Sequence, residues 1–199
     1  SIVKYADMLF TGDYLPNRNV QQSIVFYKMA ADMDDTYSMQ QYAKLIAETE
    51  RDEAANYLMK AVNLGCYQAL FELIDKKLRV FNEIEIENLT RICAEKGDAR
   101  AMYDYANILY KKNDKGNAFI FFKNSADRDY IQAISRTARM LQDGDGVTMD
   151  KGQAAFYFQK GIKVKDTESM LFYAISLLND DYSDIKTNQK EAAETLMVA

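Results

Sequence analysis

Pairs of small residues, five positions apart, return along this 199-residue chain at intervals of 31 to 37 residues. A chain written this way stacks like units side by side instead of closing around one centre. The second small residue of each pair is Ala6, Ala43, Ala106, Ala138 and Ala174, with Ile74 standing in once. Its companions five positions earlier are Ser1, Ser38, Ala69, Ala101, Ala133 and Ser169. Tyr5, Tyr42, Leu73, Tyr105 and Tyr173 immediately precede the second small residue, and Thr137 is the exception. In Ala99–Tyr110 the residues Ala101, Met102, Tyr105, Ala106 and Leu109 make one apolar stripe at helical spacing. Met39, Met102 and Met170 share one repeat position and are expected to fill the core.

A second helix follows in each unit, with small and aromatic residues at i, i+3, i+4, i+7 and i+8. Ser23, Phe26, Tyr27, Ala30 and Ala31 are one copy; Ala154, Tyr157, Phe158, Gly161 and Ile162 are another. The copies beginning at Ala54 and Ala118 agree, while Ile86, Leu89, Thr90, Cys93 and Ala94 form a degenerate one. A sixth begins at Ala192. Small residues let helix backbones approach and the neighbouring ring fills the space beside them. Gly65 and Gly97 stand four residues before Ala69 and Ala101, where a helix-ending left-handed residue is needed. Asp34, Asp129 and Lys165 hold the same place before Ser38, Ala133 and Ser169.

These features predict an all-α solenoid of about six helix hairpins. It reads as a single repeat domain over 1–199, with units at roughly 1–34, 35–65, 66–97, 98–129, 130–165 and 166–199. One proline and eight glycines are too few for a turn-rich all-β chain.

Composition removes several functions. The chain has no histidine, so it lacks the commonest general base, metal ligand and neutral-pH switch. Cys66 and Cys93 alone cannot build a closed zinc site or a disulfide scaffold. Cys93 falls where other units carry Ala or Ser, so it is expected to be a small buried hydrophobe, and Cys66 falls in a turn. A net charge of -5 argues against a nucleic-acid partner, and no apolar run is long enough for direct membrane insertion. No catalytic, cofactor-binding or metal-binding residues are assigned. Asp143-Gly144-Asp145-Gly146 lacks the calcium-loop spacing and reads as a tight inter-helix loop, as do Asp180, Asp181 and Asp184. The formal sequon at Asn88 is discounted because Leu89 lies on a buried stripe.

The stretch from Ala138 to Gly161, ARMLQDGDGVTMDKGQAAFYFQKG, resembles the Sel-1-like repeat, a relative of the tetratricopeptide repeat. Ala138, Leu141, Gly144, Gly146, Val147, Asp150, Ala154, Tyr157 and Phe158 carry the resemblance. The first unit is similar more loosely, keeping Gly12 but placing Leu15 and Pro16 where Gly-Val would stand. The resemblance implies a right-handed superhelix used as an adaptor or scaffold. That family includes quality-control adaptors, envelope and secretion-associated proteins, and immunity proteins that sequester toxins, so it specifies neither partner nor compartment.

In such solenoids the first helices line the concave face. Stepping three before, one after and four after the second small residue gives the candidate groove: Lys44, Phe71, Asp75, Tyr103, Asn107, Tyr110, Arg139 and Ile175. Gln40, Ala47, Leu78, Ser135, Gln142, Leu171 and Leu178 complete the positions. The expectation is a non-enzymatic protein–protein interaction scaffold or adaptor holding a protein or peptide partner in that groove. The alternative is a regulatory or inhibitory module that sequesters one enzyme. Ser1 at a core position and Leu196, Met197 and Val198 in an unfinished unit predict a segment of a longer protein, or self-association through exposed solenoid ends.

Overall fold

A computed structural model describes residues 1–14 and 17–178, so Leu15, Pro16, the Asp180–Asp184 loop and the Ala192–Val198 segment lie outside it. The described residues form eleven helices and no strand. First helices are α1 (Ile2–Thr11), α3 (Thr36–Ile46), α5 (Tyr67–Asp75), α7 (Ala99–Lys111), α9 (Ile131–Asp143) and α11 (Thr167–Leu178). Second helices are α2 (Val20–Asp32), α4 (Arg51–Asn63), α6 (Glu83–Glu95), α8 (Lys115–Asp127) and α10 (Lys151–Lys163). The chain divides into two compact units, Ser1–Lys96 and Gly97–Ala199. In each, consecutive helices pack antiparallel as hairpins, and each hairpin rests on the next.

Five left-handed residues set the joints between hairpins. Gly65 and Gly97 have φ of 100° and 107°, and Asp34, Asp129 and Lys165 take φ of 66°, 62° and 60° without being glycine. A non-glycine residue there costs about 1–2 kcal/mol. Backbone bonds offset the cost: Asp34 and Asp35 N–H donate to Ala31 and Ala30, and Lys165 and Asp166 N–H donate to Ile162 and Gly161. Gly65 with Cys66 and Asp129 with Tyr130 repeat the pattern. This is the double-bonded helix ending that supplies partners for otherwise orphaned carbonyls. Asp35, Asp98 and Asp166 then cap the next first helix by accepting from the N–H three residues on.

Ala6, Ala43, Ala106, Ala138 and Ala174 are fully buried, as are Ser38, Ala69, Ala101, Ala133 and Ser169. Met39, Met102 and Met170 are core residues. Gly161 shows how close the helices come: a Cβ there would lie 2.0 Å from Ser169 Oγ.

Two sequence expectations change. Ser1 is not a core residue; it is exposed and caps α1, its hydroxyl accepting from Lys4 N–H, because helical geometry begins one residue later. Ile74 does not replace the second small residue and is 42% exposed. Leu73, one position earlier, is buried in its place, in a helix of nine residues that ends where Lys77 turns left-handed at φ 50° and Leu78 N–H bonds back to Leu73.

The same tie between successive second helices occurs in both compact units. Tyr57 donates to Asp32 and Lys60 lies 2.8 Å from Asp34. One hundred positions on, Tyr157 donates to Asp127 at 2.6 Å and Lys160 lies 2.8 Å from Asp129. Burial, and the carboxylate beside each ring, push Tyr57 and Tyr157 up to about 12.

Candidate functional site

The eight sequence-selected side chains separate into two sites and one outlier. Tyr103, Asn107, Tyr110 and Arg139 come together in the Gly97–Ala199 unit. They line one cleft of about 340 Å³, with Lys111, Gln132, Arg136 and Glu168 completing its wall. Three first helices, α7, α9 and α11, supply every one of these residues.

Rings set the floor. Tyr103 packs edge-on against the buried Phe122 at 5.5 Å and tilts against Tyr130 at 5.3 Å. Its carbonyl accepts from the Asn107 amide at 3.0 Å. Tyr110 donates to Asp145 at 2.6 Å, and Lys115 lies 2.8 Å from the same carboxylate. The Lys115 ammonium and the Tyr110 hydroxyl hold Asp145 below the usual carboxylate range. Asp145 reaches them because Gly144 and Gly146 turn the α9–α10 loop at φ of 70° and 77°. At Gly146 a Cβ would meet the Lys115 carbonyl oxygen at 2.6 Å, so glycine is required for that approach. The Asp143–Gly146 stretch is thus a tight loop that carries a side chain to the cleft. Among the described residues no group of three or more acidic or thiol ligands could hold a metal ion.

The arginines are placed by stacking. The Arg136 guanidinium lies 4.3 Å over the Tyr110 ring and 5.7 Å from Phe122. That of Arg139 lies 4.2 Å over Phe172. Arg136 Nε is buried with no hydrogen-bond partner. Neither arginine has a carboxylate within 4 Å among the described residues.

The Ser1–Lys96 unit has its own cleft, of about 390 Å³, lined by Gln68, Phe71, Glu72, Ile74 and Asp75 of α5. Phe71 is half-buried and edge-on to Tyr67 at 4.9 Å. Lys44 of α3 lies 3.1 Å from Glu72, whose carboxylate is buried and otherwise unbonded. The contact is an ion pair by distance, without the alignment of a hydrogen bond. Lys44, Phe71 and Asp75 thus belong to this second site.

Ile175 lines neither cleft; it is 42% exposed beside Leu171 on α11. Ala47 and Ser135, at stepped positions of the same kind, are buried instead. Ala47 ends α3, and Ser135 turns inward to donate to Glu168. The stepping rule missed Arg136, which stands one residue from Ser135. Two arginines three apart, on one face of a first helix, were the available signal.

Thr90 is buried in α6 and donates to Ile86, which explains why the Asn88 sequon reads as helix interior. Cys93 is fully buried, its thiol donating to the Val62 carbonyl, and the Gln40 amide donates to the Cys66 sulfur.

Comparison with known proteins starts from the repeats. The Sel1 repeat model matches residues 1–35 and 131–163, the same two units in which the sequence resembles that repeat most. Two of its hairpins match the Sel1 repeat. Solved Sel1 structures agree over nearly its whole length. The Sel1 repeat protein from Oxalobacter formigenes superposes with a TM-score of 0.63 at 17% identity, covering 99% of this chain and 83% of that one. A protective antigen present in uropathogenic Escherichia coli strains, displaying an SLR fold, gives 0.60 at 18% identity over 99% of this chain. This chain spans about half, 51%, of that antigen. These likenesses carry the fold. No curated protein matches in sequence. Sel1-repeat proteins commonly serve as protein-interaction scaffolds, and among the described residues no helix is long and apolar enough to cross a membrane.

Proposed function

We propose that this chain is a non-enzymatic interaction module that holds a peptide segment of a protein partner against its first helices. The observation that carries this reading is the cleft of the second compact unit. Four side chains chosen for their repeat position, Tyr103, Asn107, Tyr110 and Arg139, line one concavity between successive first helices. Its chemistry suits a peptide: aromatic faces for an apolar contact, an amide, and cations that fix orientation. The repeat family's usual role as a scaffold supports it further.

The test is selection of peptides from a random display library on the immobilised chain, with selected peptides then titrated against variants. Tyr103→Ala/Arg139→Ala is expected to bind them at least about tenfold more weakly, one anchor being worth about 1–2 kcal/mol. Circular dichroism should show the variant fully helical. Equal binding by wild type and folded variant means the partner surface lies on another face.

A further inference from the structure

We propose that the cleft between α7, α9 and α11 is a carboxylate receptor, in which Arg136 and Arg139 take an acidic group of the bound peptide. This deepens the peptide-binding reading and rests on it for the source of the acid, but the receptor chemistry has its own evidence.

A guanidinium carries five N–H donors and no acceptor, so it demands oxygens around its edge. Arg136 is denied them. Its Nε is buried without a partner, and a buried donor left unbonded costs about 1–3 kcal/mol. The acid that could serve it, Asp145, is already engaged by Lys115 at 2.8 Å and Tyr110 at 2.6 Å. The other nearby acid, Glu168, accepts from Ser135 and lies beyond 4 Å of either arginine. Lys111 adds a third cation against that one acid in the cleft wall, so the site carries net positive charge in a chain whose net charge is -5.

Stacking decides the shape of the ligand. Tyr110 covers a face of Arg136, and Phe172 covers a face of Arg139. With a ring against one face of each guanidinium, hydrogen bonds can be made only in its plane, along its edge. That fork matches a planar carboxylate in two parallel bonds. A tetrahedral phosphate is better served by donors arranged around it, and its second charge would face Glu168. The rings also hold the forks in place before the ligand arrives, which lowers the ordering cost of binding.

The experiment separates this chemistry from peptide binding. Side-chain Nε–Hε signals of the full 199-residue chain are followed by NMR during titration with N-acetylglutamate amide, with neutral N-acetylglutamine amide, and with inorganic phosphate, all at constant ionic strength. Saturable shifts of the Arg136 and Arg139 signals with the carboxylate, at least about tenfold weaker for the neutral analogue, are expected from one charge-assisted contact. Arg136→Gln should abolish them. Because that variant loses packing on Tyr110, Arg136→Lys and Arg139→Gln serve beside it. The lysine keeps the charge without the fork and should recover only part of the affinity. Equal response to the neutral analogue, or saturation by phosphate at lower concentration than by carboxylate, overturns the proposal. Peptides from the display selection then identify the source. Loss on Asp/Glu→Asn/Gln replacement indicates a side chain, and loss on C-terminal amidation indicates the terminus. Peptides that bind the cleft with no loss in either arm, and no sensitivity to Arg136→Lys, leave the interaction module standing and sink the receptor. Carboxylate shifts without any selected peptide do the reverse.

Discussion

Both compact units set a charged residue against a cleft formed by first helices, and they treat the charge in opposite ways. In Ser1–Lys96 the buried acid Glu72 faces the half-exposed ammonium of Lys44 at 3.1 Å, with neither carboxylate oxygen hydrogen-bonded. In Gly97–Ala199 the cations Arg136 and Arg139 lie on the rings of Tyr110 and Phe172, and Arg136 Nε is buried without a partner. An ion pair answers its charge within the protein, whereas a cation on a ring keeps its edge for hydrogen bonding. One repeat architecture thus places a carboxylate beside the cation in one unit and an aromatic ring in the other.

The sharpest way to break this comparison is to remove a floor. Phe122 is fully buried beneath Tyr103 and Arg136. Phe122→Ala should lower unfolding stability by about 3–5 kcal/mol in urea melts, the range for a buried ring replaced by alanine. Phe71→Ala, at the half-buried ring of the other cleft, should cost about half that. Equal costs would mean that the two clefts are supported alike. Next in size is Lys44→Met, which leaves the Glu72 carboxylate buried without its cation. Loss of a fully buried partner costs about 3–5 kcal/mol, and since the Lys44 side chain is 42% exposed we expect about 2. Adding Glu72→Gln should recover most of it, and a double variant no better than the single one would show that the pair is not coupled. The smallest effects sharpen the comparison by what the units share. Lys160→Ala removes the tie to Asp129 and the bond its ammonium donates to the Ala126 carbonyl, and should cost about 1 kcal/mol. Lys60→Ala removes only a half-exposed tie to Asp34 and should cost about 0.5 kcal/mol or less.

The sequence made the joints and the packed stripe readable because both depend on local rules. A small residue at a helix crossing and a left-handed residue four positions before the next stripe are properties of one or two turns, so Asp129 and Lys165 could be placed beside Gly65 and Gly97. The clefts depend on how far each first helix is rotated when it docks. A residue turns 100° from its neighbour on a helix, so an error of one position exchanges Ser135, which is buried, with Arg136, which lines the cleft. Phe172 and Asp145 come from a neighbouring helix and a loop, and no spacing within α9 reports them. Ile74 failed by the same one-position error, since Leu73 is the buried residue, and the stop at Lys77 that shortens α5 has no glycine to announce it.

The left-handed joints bear on how such a chain can change over evolutionary time. Asp, Gly and Lys all adopt the same left-handed turn, closed at Asp34, Gly65, Asp129 and Lys165 by the same pair of backbone bonds, so the coupling between hairpins rests on the backbone more than on one side chain. Whole hairpins can then be duplicated, lost or exchanged at a common splice point without redesigning the connection. Selection is left free to act on the surfaces between successive first helices, where one pair has become an ion pair and another an arginine fork.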